Sequence, residues 1–149
     1  MERKVYLKSN SYEKMKQLTA AYPDVENGGL LFGRMNPSWI KILDVSDAGE
    51  KAIRTKTGVV FEVNYLQQYT QERLREDLFV IGTWHSHPAP FSLEPSSIDK
   101  KTMTQLLRLF SKPYLPVYFI VKLEEGEFLA NAYTINDQNT IMKEAFIVL

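Results

Sequence analysis

The chain contains no cysteine. That absence removes disulfide frameworks, cysteine-ligated zinc, thiol nucleophiles and iron–sulfur clusters. Histidine is nearly as scarce, since His85 and His87 are the chain's whole supply. Any metal or nucleophile chemistry must therefore rest on nitrogen and oxygen groups. An excess of one charge is lacking too: eighteen Lys plus Arg balance eighteen Asp plus Glu. No net field then draws the chain to nucleic acid or to an anionic membrane surface. Long apolar runs are also missing. The longest, residues 114–121, is interrupted by Pro116 and falls far short of the ~18 residues of a membrane span. The N-terminal stretch turns polar at Lys8 before it builds the apolar core of a signal peptide. These absences lead to the expectation of a soluble, cytoplasmic protein.

What is present describes an ordinary folded unit. The 149 residues fit one domain, since single cores usually span ~100–200 residues, and residues 1–149 are expected to form just one. No repeat, low-complexity stretch or Pro/Gly/Ser linker divides them. Asn10-Ser11-Tyr12-Glu13 reads as a capping box, followed by Tyr12, Met15, Leu18 and Tyr22 near helical spacing, with Pro23 as the stop. Strands are expected around 30–32, over 39–45 and over 58–63, and a charged helix over 65–78 with Leu66, Tyr69, Leu74 and Leu78 as its inner stripe. An apolar strand over 79–85 leads into a proline-containing loop. Ser96 or Ser97 then caps a helix whose Ile98, Met103, Leu106 and Phe110 read as core. Strands over 114–123 and 128–134 flank the turn Glu125-Gly126, and the tail 141–149 fits strand or helix equally well. Strands and helices mixed in this order point to an α/β or α+β sheet domain.

Chemistry concentrates in Trp84-His85-Ser86-His87-Pro88, at the end of an apolar strand. Residues two apart on a strand project from the same face, so His85 and His87 can aim both imidazoles at one point. A metal would need a third ligand, and with no other histidine and no cysteine it must be a carboxylate. Asp99 lies twelve residues beyond His87, at the start of the next helix. It has an equally good structural role there, because Ser96-Ser97-Ile98-Asp99 reads as a capping box. Two histidines and a carboxylate with an open position match a catalytic zinc site. The same set describes the facial triad of non-haem iron oxygenases, and both readings stay open on residues alone. A third histidine for a cupin, or an aspartate closely following His87 for a metallo-β-lactamase-like site, is absent.

The full pattern resembles the JAMM/MPN-domain metalloproteases. Their signature is an upstream glutamate, His-x-His-Pro, seven residues, and Ser-x-x-Asp. Here His85-Ser86-His87-Pro88 is followed by the seven residues 89–95 and then Ser96-Ser97-Ile98-Asp99. The upstream element, Glu-x-x-Gly-x-Leu-x-Gly, is matched by Glu26-Asn27-Gly28-Gly29-Leu30-Leu31-Phe32-Gly33. The likeness extends from about residue 5 to residue 134.

That resemblance implies a mixed, curved β-sheet flanked by helices, a three-layer domain like that of MPN proteins and cytidine deaminases. It implies one zinc ion per chain, held by His85, His87 and Asp99 with a water. Glu26 would be the general acid/base and Ser96 an oxyanion donor that also caps its helix. Pro88 would fix the backbone after the second ligand, and Gly82 would permit close approach beneath the site. Trp84 and Ser86, on the other strand face, would serve as core and support. The implied activity is hydrolysis of an isopeptide or peptide bond at the C-terminus of a ubiquitin-like modifier or its conjugate, without a covalent enzyme intermediate. The motif surroundings are similar to members found beside bacterial ubiquitin-like conjugation enzymes in antiphage operons. A sulfur-carrier-processing peptidase and a non-catalytic MPN-type binding module are the alternatives. A DNA-repair branch of the family reads differently after the second histidine, where this chain has Pro88-Ala89-Pro90. Residues 57–63 and 89–94 are the candidates for a groove holding the modifier's tail. The resemblance assigns no modifier and no oligomeric state.

Overall fold

Alternation along a single strand divides the interior into two layers. In β7 (Val117–Glu124), Val117, Phe119 and Val121 pack into one apolar cluster while Tyr118 and Ile120 pack into another. A strand covered on both faces reads as a continuous apolar run, which is what residues 117–121 present. Our computed structural model describes residues 3–136 and 138–149.

The remaining elements, in chain order, are β1 (Lys4–Leu7), α1 (Ser9–Ala20), β2 (Gly28–Met35), β3 (Trp39–Val45), β4 (Ile53–Arg54), β5 (Val59–Val60), α2 (Val63–Leu74), β6 (Phe79–Ser86), α3 (Ser97–Leu107), β8 (Glu127–Ile135), β9 (Ile141–Glu144) and β10 (Phe146–Val148). Eight strands form one mixed sheet in the order β10-β1-β3-β2-β6-β7-β8-β9, and β4 pairs separately with β5. Helix α1 packs its Met15 and Leu18 with Val5, Leu7, Ile40 and Ile42 on one face. On the other face α3 sets Met103, Leu106 and Leu107 against Tyr118, Ile120 and Tyr133. Tyr69 of α2 meets Phe32 at 5.3 Å between ring centroids. The result is helix, sheet, helix. The sheet is strongly curved: Phe146 of β10 reaches Phe119 of β7, centroids 5.1 Å apart, although four strands lie between them in the sheet order. The mixed α/β sheet domain flanked by helices is therefore the observed architecture.

Several local expectations are corrected. The proposed capping box at Asn10 is not the start of α1; Lys8 is the N-cap and makes no side-chain cap bond. Backbone contacts outside the helix, Lys8 N–H to the Ile42 carbonyl and Ser9 N–H to the Leu149 carbonyl, hold the entry instead. The strand expected over 58–63 shrinks to Val59–Val60, because α2 already begins at Val63. That helix ends at Leu74 rather than Leu78: Asp77 takes a left-handed φ of 58°, and the Leu78 N–H turns back to the Arg73 carbonyl. β7 begins only after Pro116, which has no N–H to give a ladder. Ile98 is not core, being 58% exposed at the start of α3, where it lines two clefts. The ambiguous tail forms two strands, β10 running parallel to β1.

At Gly82 the centre of the sheet leaves no room for a side chain. β6 pairs parallel with β7, setting Gly82 opposite Val117. A Cβ on Gly82 would fall 1.7 Å from the Val117 carbonyl oxygen. Replacing Gly82 with alanine is expected to cost about 3 kcal/mol or more of stability, at the upper end of overpacking effects. Chemical denaturation measures this, and an unchanged midpoint would mean that the two strands are not locked as described.

Candidate metal centre

β6 delivers the two imidazoles. Its alternation buries Trp84 completely, with the indole N–H donating to the Ser46 carbonyl at 2.8 Å. The Ser86 hydroxyl accepts from the Asn27 N–H at 2.9 Å on that same side. Thr83 and His85 face the α3 side, and His87 follows just past the strand, its backbone N–H bonded to the Val121 carbonyl of β7. α3 supplies the carboxylate. Ser96 is the N-cap; its hydroxyl accepts from the Asp99 N–H at 3.1 Å, and the Ser96 N–H donates to Asp99 Oδ2 at 2.9 Å. The capping box and the convergence on the histidines thus hold together, because the cap orients the carboxylate.

Three ligand side chains meet as a result. His85 Nε2 lies 3.1 Å from His87 Nε2, His85 Nε2 lies 3.0 Å from Asp99 Oδ1, and His87 Nε2 lies 3.0 Å from Asp99 Oδ2. Nε2 of His87 is the atom free to bind, since its Nδ1 points at the Ser92 carbonyl 2.5 Å away. A carbonyl can only accept, so Nδ1 carries a hydrogen, and in the neutral ring the lone pair sits on Nε2. Two imidazole nitrogens and a carboxylate facing one another is an unfavourable gathering of electron pairs unless a cation stands between them. Tetrahedral zinc at ~2.0–2.1 Å from such ligands would space them about 3.3 Å apart, close to the separations seen. His87 and Asp99 are buried and His85 is partly so. The donor set therefore fits a divalent ion.

Glu26 joins this group through sheet register. β2 runs antiparallel to β6 with Gly28 opposite His85, and the ladder continues as the Ser86 N–H bonds the Asn27 carbonyl at 2.8 Å. Continued two residues further, that register directs Glu26 toward His87, and the two line the same cleft. Gly28 makes the approach feasible, since a Cβ there would sit 2.5 Å from the Trp84 carbonyl oxygen. The adjacent Asn27 is fully buried and saturated: its amide donates to Asp47 and to the Leu18 carbonyl, and its oxygen accepts from Arg54 Nε at 2.9 Å. Arg54 also pairs with Asp47 and stacks 3.9 Å over the Tyr22 ring. The Glu26 N–H is held by the Thr55 carbonyl at 2.7 Å. This polar scaffold of Asn27, Asp47 and Arg54 carries no one-dimensional signal, because its members lie far apart in the chain and match no motif.

Electrostatics follow from the burial. Glu26 is 5% exposed, and desolvation pushes its carboxyl up to about 7, partly opposed by the charges of His85 and His87 and aided by Asp99. For Asp99, burial alone would raise the pKa. Hydrogen bonds from both imidazoles, the charge of His85 and the Ser96 N–H outweigh it and hold the carboxyl well below the usual range. For His87, burial alone would lower the pKa, but the Asp99 hydrogen bond, the Ser92 carbonyl and the charges of Asp99 and Glu26 raise it overall. Metal binding and protonation compete for these same donor atoms. Two clefts flank the group. One, of about 390 Å³, is lined by Glu26, Thr57, His87, Phe91, Glu94 and Ser96. The other, of about 400 Å³, is lined by Glu26, Val59, Val60, His85, Asp99 and Met103.

Comparison with known proteins gives a family and a fold. Residues 9–136 match the model of the prokaryotic homologs of the JAB domain. The chain is 29% identical over 101 residues to a CD-NTase/cGAS isopeptidase of Escherichia coli, covering 66% of this chain and 61% of that protein. It is 26% identical over 113 residues to a probable metalloprotease of Sinorhizobium fredii, covering 72% of this chain and 68% of that protein. It is 31% identical over 106 residues to COP9 signalosome complex subunit 5 of Eremothecium gossypii, covering 69% of this chain but only 25% of that protein. A solution structure of a protein from Desulfitobacterium hafniense shares the fold, with a TM-score of 0.69 at 24% identity, over 97% of this chain and 92% of that one. Among the described residues no helix is long and apolar enough to cross a membrane.

The raised Glu26 pKa has a definite sign. Folding favours its protonated form, so the contribution is present at acid pH and is lost as pH rises through about 7. In metal-free protein the Glu26 carboxyl carbon is expected to titrate near pH 7 by NMR. One equivalent of zinc should move that titration to lower pH, because a dication stabilises the carboxylate. A titration in the ordinary glutamate range without metal would contradict the burial argument.

Proposed function

The chain belongs to the family of prokaryotic homologs of the JAB domain, and from that premise we propose that it is a zinc-dependent hydrolase. Its substrate is an isopeptide or peptide bond at the C-terminus of a ubiquitin-like modifier. The observation that carries this reading is the convergence of His85, His87 and Asp99 with Glu26 set beside them between two open clefts. Zinc held by the two Nε2 atoms and the Asp99 carboxylate would supply a lowered water pKa and a polarised carbonyl.

The rest of the work falls to the chain's own groups. Glu26 takes a proton from the attacking water and returns it to the departing amine; a carboxyl whose pKa lies near neutrality is matched to both transfers. Ser96 spends an oxygen lone pair on its helix cap, which leaves the hydroxyl hydrogen free to donate to the tetrahedral oxyanion. One such donor is typically worth ~3–4 kcal/mol in the transition state. No side chain present is a thiol, and the sequence of proton transfers needs no covalent intermediate.

The modifier's tail is assigned to the clefts on either side of Glu26. Residues 58–61 line one and residues 91, 92 and 94 line the other, with Thr57 on the rim of the second. An extended tail laid beside β5 would be held by strand addition, which reads backbone rather than charge and suits a chain of zero net charge. The likeness to the Escherichia coli isopeptidase supports isopeptide cleavage, and the role proposed for this chain is that of the deconjugating enzyme of a bacterial ubiquitin-like, antiphage system.

Incubation with fusions carrying a ubiquitin-like modifier, joined through its C-terminus to a peptide amine or a lysine side chain, tests the reading. Cleavage should require zinc, stop with a chelator, and fall by ~10²–10⁴-fold in Glu26→Gln while zinc stoichiometry is kept. Zinc-loaded wild-type protein that cleaves none of these fusions would overturn the proposal.

A further inference from the structure

Residues 88–96 join the second histidine to the third ligand, and the structure straps them down. Three successive backbone carbonyls of this loop each accept a side-chain hydrogen bond from the body of the sheet. Lys122 Nζ of β7 donates to the Phe91 carbonyl at 3.1 Å, His87 Nδ1 donates to Ser92 at 2.5 Å, and the Tyr133 hydroxyl of β8 donates to Leu93 at 2.8 Å. Tyr133 is 2% exposed and packs in the α3-side cluster with Tyr118, Ile120 and Met103, and Leu93 itself packs against that cluster. Lys122 is steadied by Glu124 at 2.9 Å. The loop adds two bonds of its own, the Phe91 N–H to the Pro88 carbonyl and the Glu94 N–H to the Ser92 hydroxyl.

The middle carbonyl of the three is the one that sets the His87 tautomer. Its place is decided by the anchors on either side of it, because a backbone fixed at residues 91 and 93 has little freedom at 92. We propose that Tyr133 and Lys122 are positioning residues for the metal centre, clamping the 91–93 backbone so that the Ser92 carbonyl holds His87 with Nε2 toward the ion. The loop is thus a rigid brace between His87 and the Ser96–Asp99 cap rather than a swinging cover. Neither residue touches a ligand, and the sequence pattern that marks the ligands does not extend to them. Partners one step removed from a metal typically change its affinity by ~10–100-fold when lost.

This rests on the reading that His85, His87 and Asp99 hold zinc, and the experiment separates the two claims. Zinc affinity is measured by competition with a chromophoric chelator for wild-type protein, Tyr133→Phe, Lys122→Met and Tyr118→Phe. The last removes an equally buried hydroxyl that donates to the Met103 carbonyl of α3 at 2.7 Å and leaves the strap intact. Alongside, the His87 Nδ1 proton is followed by NMR in metal-free protein, where its bond to Ser92 should protect it from exchange. Tyr133→Phe is expected to weaken zinc binding about 10-fold and to broaden the ring-proton signal, Lys122→Met to do both more mildly, and Tyr118→Phe to do neither. The Lys122 variant alters a side chain near the surface and so reports even if loss of the Tyr133 hydroxyl unfolds the protein. Unchanged affinity and an unchanged ring proton in both strap variants would overturn the proposal, as would an equal loss in Tyr118→Phe. Wild-type protein that binds no zinc would instead overturn the metal reading, while the ring-proton signal would still decide the strap.

Discussion

Two imidazole nitrogens and a carboxylate held within about 3 Å of one another repel unless something positive lies between them, and much of the fold exists to enforce that gathering. Each ligand arrives on a different support. His85 rides on a strand buried in the middle of the sheet, His87 is held by the next strand through its backbone N–H, and Asp99 is held by the cap of a helix. No support alone creates the site. Packing the three on a single curved sheet does, and rigid packing fixes their mutual spacing.

The same arrangement accounts for the electrostatics. A buried carboxyl beside two imidazoles is pulled in opposite directions, by desolvation and by neighbouring positive charge. Asp99, which both imidazoles touch through hydrogen bonds, stays ionised; Glu26, influenced by them through charge alone, is left near neutrality. The two carboxyls are therefore shifted in opposite directions, Asp99 down inside the hydrogen-bonded knot and Glu26 up beside it. Pairs of titratable groups pushed apart in this way mark out separate roles for an acid/base and a ligand.

Legibility varied from residue to residue. Strand periodicity gave Trp39–Val45 with both ends correct, and nearly all of β6. Apolar spacing misplaced Ile98, because a helix lying at the rim of a cleft exposes one apolar residue to it. The 58–63 stretch read as strand since its residues are β-branched and aromatic, yet α2 takes over at Val63. Local propensity is weak where a short hairpin meets a helix packed on a sheet. The start of α1 departs from the capping-box pattern for a related reason. Backbone partners from β3 and the C-terminal residue satisfied N–H groups that a side-chain cap would otherwise have served.

By itself the sequence determined the metal-ligand candidates, His85, His87 and Asp99, and the alternation that turns both histidines to one face. Those features are local, governed by strand period and helix capping over at most a dozen or so residues. Only the tertiary structure decided what surrounds them. It brought Glu26 toward His87 through antiparallel register, saturated Asn27 with Arg54 and Asp47, and braced the 91–93 carbonyls with Lys122 and Tyr133. These partners are separated in sequence by as many as 61 positions, the span from Glu26 to His87. Hydrogen bonds across such distances depend on where folded elements dock, and no periodicity in one dimension records that.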